Sequence, residues 1–362
     1  LTEQYANPNA QYPFGQEMRR SVEDWRAVIA KAVGCEANQL FFTSCGTEGD
    51  NWAIRAACWQ NRHVGRHIVT TAVEHHSVLA ICKALENEGF EVITVAPDES
   101  GHITPEAMAA ACNEKTILAS CMMVNSETGA IHDLPAIAAA CRRKSPNLIF
   151  HADCVQSFCR LPIDPVKWGI QLVSVSGHKI HGPKGIGFLY VGDRVKIRPI
   201  VFGGGQERGL RSGTENVPAI AGMGKAAEEM YQNLDTDLDR MYALKQRLAD
   251  GISTMENVRI NGLCGRDSAP HVLSVSFAGV RSEVLLHALE EREIYVSAGS
   301  ACASNHPDTS GSATLRAIGL PKELLNSTIR FSLSVFTTEE EIDYTVQVLH
   351  ELVPMLRRFT RR

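Results

Sequence analysis

Three clusters of reactive side chains punctuate the 362-residue chain: His151-Ala-Asp153-Cys-Val-Gln156, Ser176-Gly-His178-Lys179 and Gly299-Ser-Ala-Cys302. The first offers a carboxylate, the second an amine and the third a thiol. An amine that can hold an aldehyde, with a carboxylate that keeps a ring nitrogen protonated, is the minimum that a pyridoxal phosphate site requires. A thiol nucleophile added to that pair points to sulfur chemistry. Asp153 follows the apolar run Asn147-Leu-Ile-Phe150 and Lys179 follows Ile170-Gln-Leu-Val-Ser-Val175, with a crossover-sized stretch between them. That spacing places both at one edge of a parallel sheet, where open α/β folds bind ligands.

Further candidates sit at the same kind of position. Ser44-Cys-Gly46-Thr47-Glu48 comes after a strand and opens a helix, so its amides, with the Thr47 hydroxyl, can hold phosphate; an ordinary helix cap is the alternative. In Val73-Glu-His75-His76-Ser77, His75 can stack on a flat ring, or the pair can simply cap a helix. Asn125, ending another strand, can donate to a ring hydroxyl or serve as a turn residue before Gly129. Gln156 lies about one helical turn beyond Asp153 and suits a neighbouring ring substituent.

Ser176 and His178 can hold phosphate while Lys179 turns inward; Lys184, in a Gly-Pro-Lys-Gly loop, is the rival amine. A free lysine has a pKa of about 10.4, which a cationic, partly desolvated pocket lowers. The segment Gly203-Gly-Gly-Gln-Glu-Arg208-Gly-Leu-Arg211-Ser-Gly-Thr214 lacks the dinucleotide fingerprint and suits contact with the phosphate region across a subunit interface; a flexible surface turn is the alternative. Cys302 lies in the small and polar 297–312 run, which predicts an exposed loop rather than a packed core. Arg330, amid Thr328-Ile-Arg-Phe-Ser-Leu333, calls for an anionic partner, either an internal carboxylate or that of an amino acid.

The elements that must position these residues follow a βαβ pattern. Strands are expected at 39–43, 67–71, 91–95, 116–120, 148–150, 172–174 and 187–191, with helix-sized segments between all but the last pair. Helical periodicity covers 21–33, and then 217 to about 255 as one connector. Beyond it, strands at 272–277 and 329–333 with helices at 282–289 and 339–357 predict a smaller α+β unit. The expectation is a large cofactor domain over 1–232 with a mainly parallel sheet wrapped by helices, and a small domain over 233–362 that carries the cysteine loop.

Composition narrows the class. A formal net charge of -5 gives no overall basic field, so nucleic-acid binding is not expected. No apolar run approaches the roughly 20 residues of a membrane helix and the first residues do not read as a signal peptide, so a cytoplasmic enzyme is expected. Eleven cysteines, an odd number, argue for reduced thiols over a disulfide framework, and their spacing does not indicate a metal site.

Taken in order, Thr47, His75, Asn125, Asp153, Gln156, the Ser-Gly-His-Lys segment, Arg-Ser-Gly-Thr, Ser-Ala-Cys and Ile-Arg-Phe-Ser resemble the cysteine desulfurases, fold-type I pyridoxal phosphate enzymes of the aminotransferase class V type. The resemblance spans nearly the whole chain. It implies that Lys179, Cys302 and His75 are catalytic, with His75 stacked on the ring. Asn125 and Gln156 would contact ring substituents and Asp153 the ring nitrogen. Gly46, Thr47, Ser176 and His178 would bind phosphate, with Thr214 donated by the second subunit of a homodimer. Arg330 would grip the carboxylate of L-cysteine, with Asn125 beside it.

The implied reaction yields L-alanine and a Cys302 persulfide, passed to a sulfur-acceptor or iron-sulfur scaffold protein. Selenocysteine lyase, cystine or cysteine C–S lyase and a non-catalytic platform are the alternatives. Departures from the pattern are Cys45 in place of glycine, Ser126 in place of a second asparagine, and Ser334-Val335 in place of Gly-Arg. The chain also starts beyond the Asp-Asn-Ala-Ala-Thr-Thr type segment usual in the family.

Overall fold

The computed structural model describes residues 5–193, 195–298 and 312–360. The thiol expected at Cys302 lies outside them. The described chain forms two compact units. The first comprises residues 1–95, 104–123 and 132–234, and the second 96–103, 124–131 and 235–362. Two short segments of the amino-terminal half therefore group with the second unit, and no single cut in the chain separates the two.

The first unit is built on seven strands: β1 (Leu40–Thr43), β2 (His67–Thr71), β3 (Glu91–Val95), β4 (Thr116–Ser120), β5 (Ile149–Asp153), β6 (Leu172–Ser176) and β7 (Gly187–Val191). Their order is β1-β7-β6-β5-β4-β2-β3. Strands β6, β5, β4, β2 and β3 are mutually parallel, and β7 runs antiparallel between β6 and β1. Because β7 is antiparallel to both neighbours, β1 points the same way as β6. The carboxyl ends of β1 and β6 thus meet at one residue, Gly187, which pairs with both Thr43 and Ser176. A Cβ there would lie 2.4 Å from the Val175 carbonyl oxygen and 3.0 Å from the Cys45 carbonyl carbon, so only glycine permits the approach.

Helices of this unit are α1 (Pro13–Val33), α2 (Gly46–Asn61), α3 (His76–Asn87), α4 (Pro105–Ala111), α5 (Leu134–Lys144), α6 (Pro165–Trp168) and α7 (Val217–Gln232). Helix α2 buries Trp52, Ala53, Ile54, Ala56 and Ala57. They pack into a core with Ile68, Leu118, Leu172 and Leu189 from four strands. Such strands, buried on both faces, read as continuous apolar runs because no face alternates with water.

The second unit holds α8 (Leu234–Ser253), β8 (Val258–Asn261), β9 (Val272–Phe277), α9 (Ser282–Glu290), β10 (Ser297–Ala298), α10 (Ala313–Ala317), α11 (Lys322–Leu325), β11 (Thr328–Ser332) and α12 (Glu339–Thr360). Its strands form an antiparallel sheet in the order β10-β11-β9-β8. Leu248 and Ile252 of α8 and Leu349 and Val353 of α12 cover it, packing on Val275, Phe277 and Ile329.

The α/β and α+β division agrees with the sequence reading, and every strand expected in the first unit is present. Two helical expectations are corrected. The connector expected from 217 to about 255 is two helices, interrupted at Asn233, whose backbone (φ -111, ψ 10) leaves the helical region. Helix α1 begins at Pro13 rather than near residue 21, because proline at the first turn is preset for helix and its first turns carry too few apolar residues for periodicity to register.

Candidate functional site

Four strand ends of the first unit carry the site. After β1, Gly46 starts α2, and a Cβ on it would meet Val155 Cγ2 at 2.6 Å and Ser176 Cβ at 3.5 Å. This is a close-packed cradle at a helix N-terminus that only a glycine can line, with Thr47 exposed beside it. Glu48, in the same turn, accepts the Ser44 amide at 2.7 Å and the Arg211 guanidinium at 2.7 and 3.0 Å. Burial opposes its ionisation, but the Arg211 fork and the Ser44 contacts outweigh it and hold the carboxyl below its ordinary pKa. The same fork anchors the 203–214 segment, whose Thr214 is exposed.

After β6, Ser176 is buried and its Oγ lies 2.8 Å from His178 Nδ1. Residues 177–180 form one tight helical turn containing Lys179. Arg160 donates to the Lys179 carbonyl oxygen at 2.5 Å and to Gln156 Oε1 at 3.4 Å, so one guanidinium spans the lysine turn and the segment after β5. Burial of Arg160 lowers its pKa to about 10. His178 is lowered too, first by desolvation and then by Lys179, Lys184 and Arg160 around it. Lys179, Lys184 and Arg160, which act on His178 beside Ser176, supply positive charge that suits a phosphate dianion.

After β5, Asp153 is 5% exposed and accepts the Val155 amide at 2.8 Å. Burial raises its pKa well above the carboxylate range; Asp50 and Glu74 push the same way, and Val155 with Lys179 opposes. A buried acid in this state takes either a proton or a cation, and a protonated pyridine nitrogen is such a cation. After β2, His75 caps α3, its Nδ1 lying 2.6 Å from Ser77 Oγ and 3.2 Å from the Ser77 amide. The outer face of the ring is open, yet the protein around it displaces enough water to lower its pKa, with Asp50 opposing and His76 and Lys179 reinforcing that shift.

The second unit carries Asn125 and Arg330. Asn125 is buried and its Oδ1 accepts from Glu127 N, Thr128 N and Thr128 Oγ1, a local turn that closes before Gly129. Arg330, on β11, donates to the Ser126 carbonyl at 2.9 Å and to Ser297 Oγ at 3.1 Å. Its Nε is buried without a hydrogen-bond partner among the described residues, which leaves donor capacity for an anion. The structure thus brings Gly46, Thr47, Ser176, His178, Lys179, Asp153, Gln156 and His75 to one edge of the first sheet, and joins Arg330 to the Asn125 turn.

Four side chains that the sequence did not single out also shape this edge. Glu74 is fully enclosed, accepts from Thr71 Oγ1 and the Met122 amide at 2.9 Å each, and has its pKa raised to about 7 by burial. Asp50, His151 and Arg160 are the others. A charged residue next to a strand end, as Glu74 is after Thr71, was the available signal. Among the described residues there is no cluster of three or more His, Cys, Asp or Glu that could hold a metal ion, and no helix is long and apolar enough to cross a membrane.

Residues 1–345 match the sequence model of the family described as Aminotransferase class-V. The chain is 44% identical over 356 residues to cysteine desulfurase IscS of Serratia proteamaculans, covering 98% of this chain and 86% of that protein. Among solved structures, a NifS-like protein superposes with a TM-score of 0.92 at 35% identity, covering 98% of this chain and 93% of the other. A structure described as SspA in complex with cysteine has a TM-score of 0.79 at 31% identity, with 93% of each chain covered.

Proposed function

Because the chain belongs to the aminotransferase class-V family, we propose that it is a pyridoxal phosphate-dependent cysteine desulfurase, which converts L-cysteine to L-alanine and takes the sulfur onto Cys302 as a persulfide. The observation that carries this reading is the buried, charge-hungry Asp153 at the end of β5, flanked by the Lys179 turn at the end of β6. When bound, the cofactor supplies an electron sink that labilises the bonds around the amino-acid α carbon.

The chain's own residues do the rest. Asp153 would accept the ring N–H, its carboxylate form being favoured against that cation. Gly46, Thr47, Ser176 and His178 would hold the phosphate, and His75 and Gln156 would contact the ring and its substituents. Asn125 would contact a ring substituent, as the family resemblance implies. Lys179 would supply the amine that holds the cofactor aldehyde and the base that moves the substrate α proton. Arg330 binds the substrate carboxylate with the donors left over from Ser126 and Ser297, and so orients the sulfur. The Cys302 thiolate attacks that sulfur; the S–S bond forms, the C–S bond breaks, and its electron pair stays on carbon, which is protonated to alanine.

Three finer elements belong to the same reading. The chain works as a homodimer, with Thr214, held out on the segment that Arg211 ties to Glu48, reaching the partner's phosphate site. The persulfide is consumed by a sulfur-acceptor or iron-sulfur scaffold protein, and the setting is cytoplasmic. The test is direct: the purified chain, loaded with pyridoxal phosphate and given L-cysteine, should release L-alanine, with mass spectrometry locating one added sulfur on Cys302. Cys302→Ser should abolish sulfur transfer and leave the cofactor colour. Cofactor binding without alanine release would sink the activity, and transfer retained in Cys302→Ser would refute the thiol's role.

A further inference from the structure

Asp50, on α2, has no part in the chemistry above, yet it is 1% exposed and hydrogen bonded toward the site. Its Oδ2 accepts from Ser77 Oγ at 2.6 Å, and the same Oγ lies 2.6 Å from Nδ1 of His75. Its Oδ1 makes no hydrogen bond among the described residues, the nearest basic atom being Nε2 of His151 at 3.5 Å. His151 is itself completely buried and clamped, Nδ1 by Ser120 Oγ at 2.9 Å and Nε2 by Ser174 Oγ at 3.0 Å. Strands β4, β5 and β6 therefore back the carboxyl, and its one strong bond runs through Ser77 to the imidazole.

A serine hydroxyl has a single proton. With that proton given to Asp50, the short contact between Ser77 Oγ and His75 is a hydrogen bond only if Nδ1 carries the hydrogen. The competing contact is the helix cap, in which the Ser77 amide, 3.2 Å away, needs a lone pair on Nδ1. The two demand opposite tautomers, and the shorter one is backed by a buried carboxyl. We infer that Asp50, acting through Ser77, is a positioning residue that holds His75 in the Nδ1–H tautomer, leaving Nε2 as the nitrogen that takes or returns a proton at the reacting centre. The inference rests on the place given to His75 against the ring in the proposed desulfurase reaction, and adds proton exchange at Nε2 to it.

The charged groups around His75 are Asp50, His76 and Lys179, with Glu74 adjacent in the chain; of the three that act on its titration, only Asp50 favours the imidazolium. The test is ¹⁵N imidazole NMR of the cofactor-loaded enzyme, with the His75 signals assigned by their loss in His75→Gln, alongside the pH profile of kcat/KM. The wild type should show hydrogen on Nδ1. Ser77→Ala should move it to Nε2, Ser77→Thr should keep it on Nδ1, and Asp50→Asn should lower the His75 pKa and the acidic limb of the profile together by about one pH unit.

A wild-type Nε2–H tautomer, or a Ser77→Ala variant with unchanged tautomer and pKa, overturns the relay. Ser77→Ala carries the test even if Asp50→Asn does not fold. Alanine release by the same wild-type sample keeps the two ideas separate: the expected tautomer without alanine removes the reaction and leaves the relay, whereas alanine with the wrong tautomer does the reverse.

Discussion

Glu207→Gln should destabilise the first unit by about 3–5 kcal/mol, because it breaks a fully buried ion pair by neutralising one partner. Arg26 and Glu207 have side chains that are each 3% exposed and meet as a bidentate fork, with both N–O distances 2.8 Å. The remaining bonds are few. Arg26 Nη1 also donates to the Leu40 carbonyl at 3.0 Å, its Nε reaches Glu23, and its guanidinium lies 4.5 Å over the Phe42 ring. Glu207 Oε2 additionally accepts the Phe42 amide at 2.9 Å. An amide at 207 still accepts one bond, but it leaves the buried guanidinium with only the half-exposed Glu23 as counter-charge and turns an NH2 toward it. Glu207 also adopts a left-handed backbone (φ 47), so the ion pair holds a strained residue in place.

All four tryptophans, at 25, 52, 59 and 168, lie in the first unit, and their fluorescence reports its unfolding. With a urea m-value of about 3 kcal/mol/M, the midpoint should fall by about 1–1.7 M. The double variant Arg26→Met with Glu207→Gln should be less destabilised than the sum of the two single changes, since no charge is then left buried. A single-variant loss below about 1 kcal/mol, or strict additivity, would refute the reasoning.

The other two predictions concern the site edge. Glu74 has a folded-state pKa of about 7 against an ordinary value of 4.5, so the folded protein binds the extra proton between those limits and its stability is lost as pH rises through them. Unfolding free energy should therefore fall from pH 5 to pH 8 by about 3 kcal/mol more in the wild type than in Glu74→Gln; parallel pH dependences would show that burial does not hold the proton there. Gly46→Ala adds a Cβ 2.6 Å from Val155 Cγ2 and pushes the α2 N-terminus off its cradle, which should weaken pyridoxal phosphate binding about tenfold, or about 1.4 kcal/mol, in a fluorescence titration; unchanged affinity would remove Gly46 from the phosphate site.

What the sequence disclosed and what it concealed divide along physical lines. Six of the seven strands of the first unit were legible because strands buried on both faces are largely apolar, and the half-exposed β3 because its β-branched residues and the turn residues around it mark a strand. Reactive residues at strand ends were legible for the related reason that Asp153 and Lys179 stand at the close of such runs. Strand order was not legible, since the antiparallel return of β7 between β6 and β1 depends on Gly187 tolerating two backbones at once. Short elements such as β8, β10, α10 and α11 were missed because too few residues carry a period. The second-unit segments 96–103 and 124–131 were invisible for want of any local signal.

The same limit hid the charges that tune the site. Asp50 finds Ser77 27 residues away, Arg160 finds the Lys179 carbonyl 19 residues away, and Glu74 finds the Met122 amide 48 residues away. Each reads locally as an ordinary polar residue, and each becomes a functional constraint only when the sheet places it where water cannot follow. An acid beside a strand end in a chain with a lysine site is thus better read as a candidate for tuning than as surface. The reason is energetic: a carboxyl enclosed without a partner is costly enough that the fold must supply a donor, a proton or a cation. At Asp50 the donor is Ser77, at Glu74 the proton is retained to about pH 7, and at Asp153 burial leaves a proton or a bound cation to complete the set.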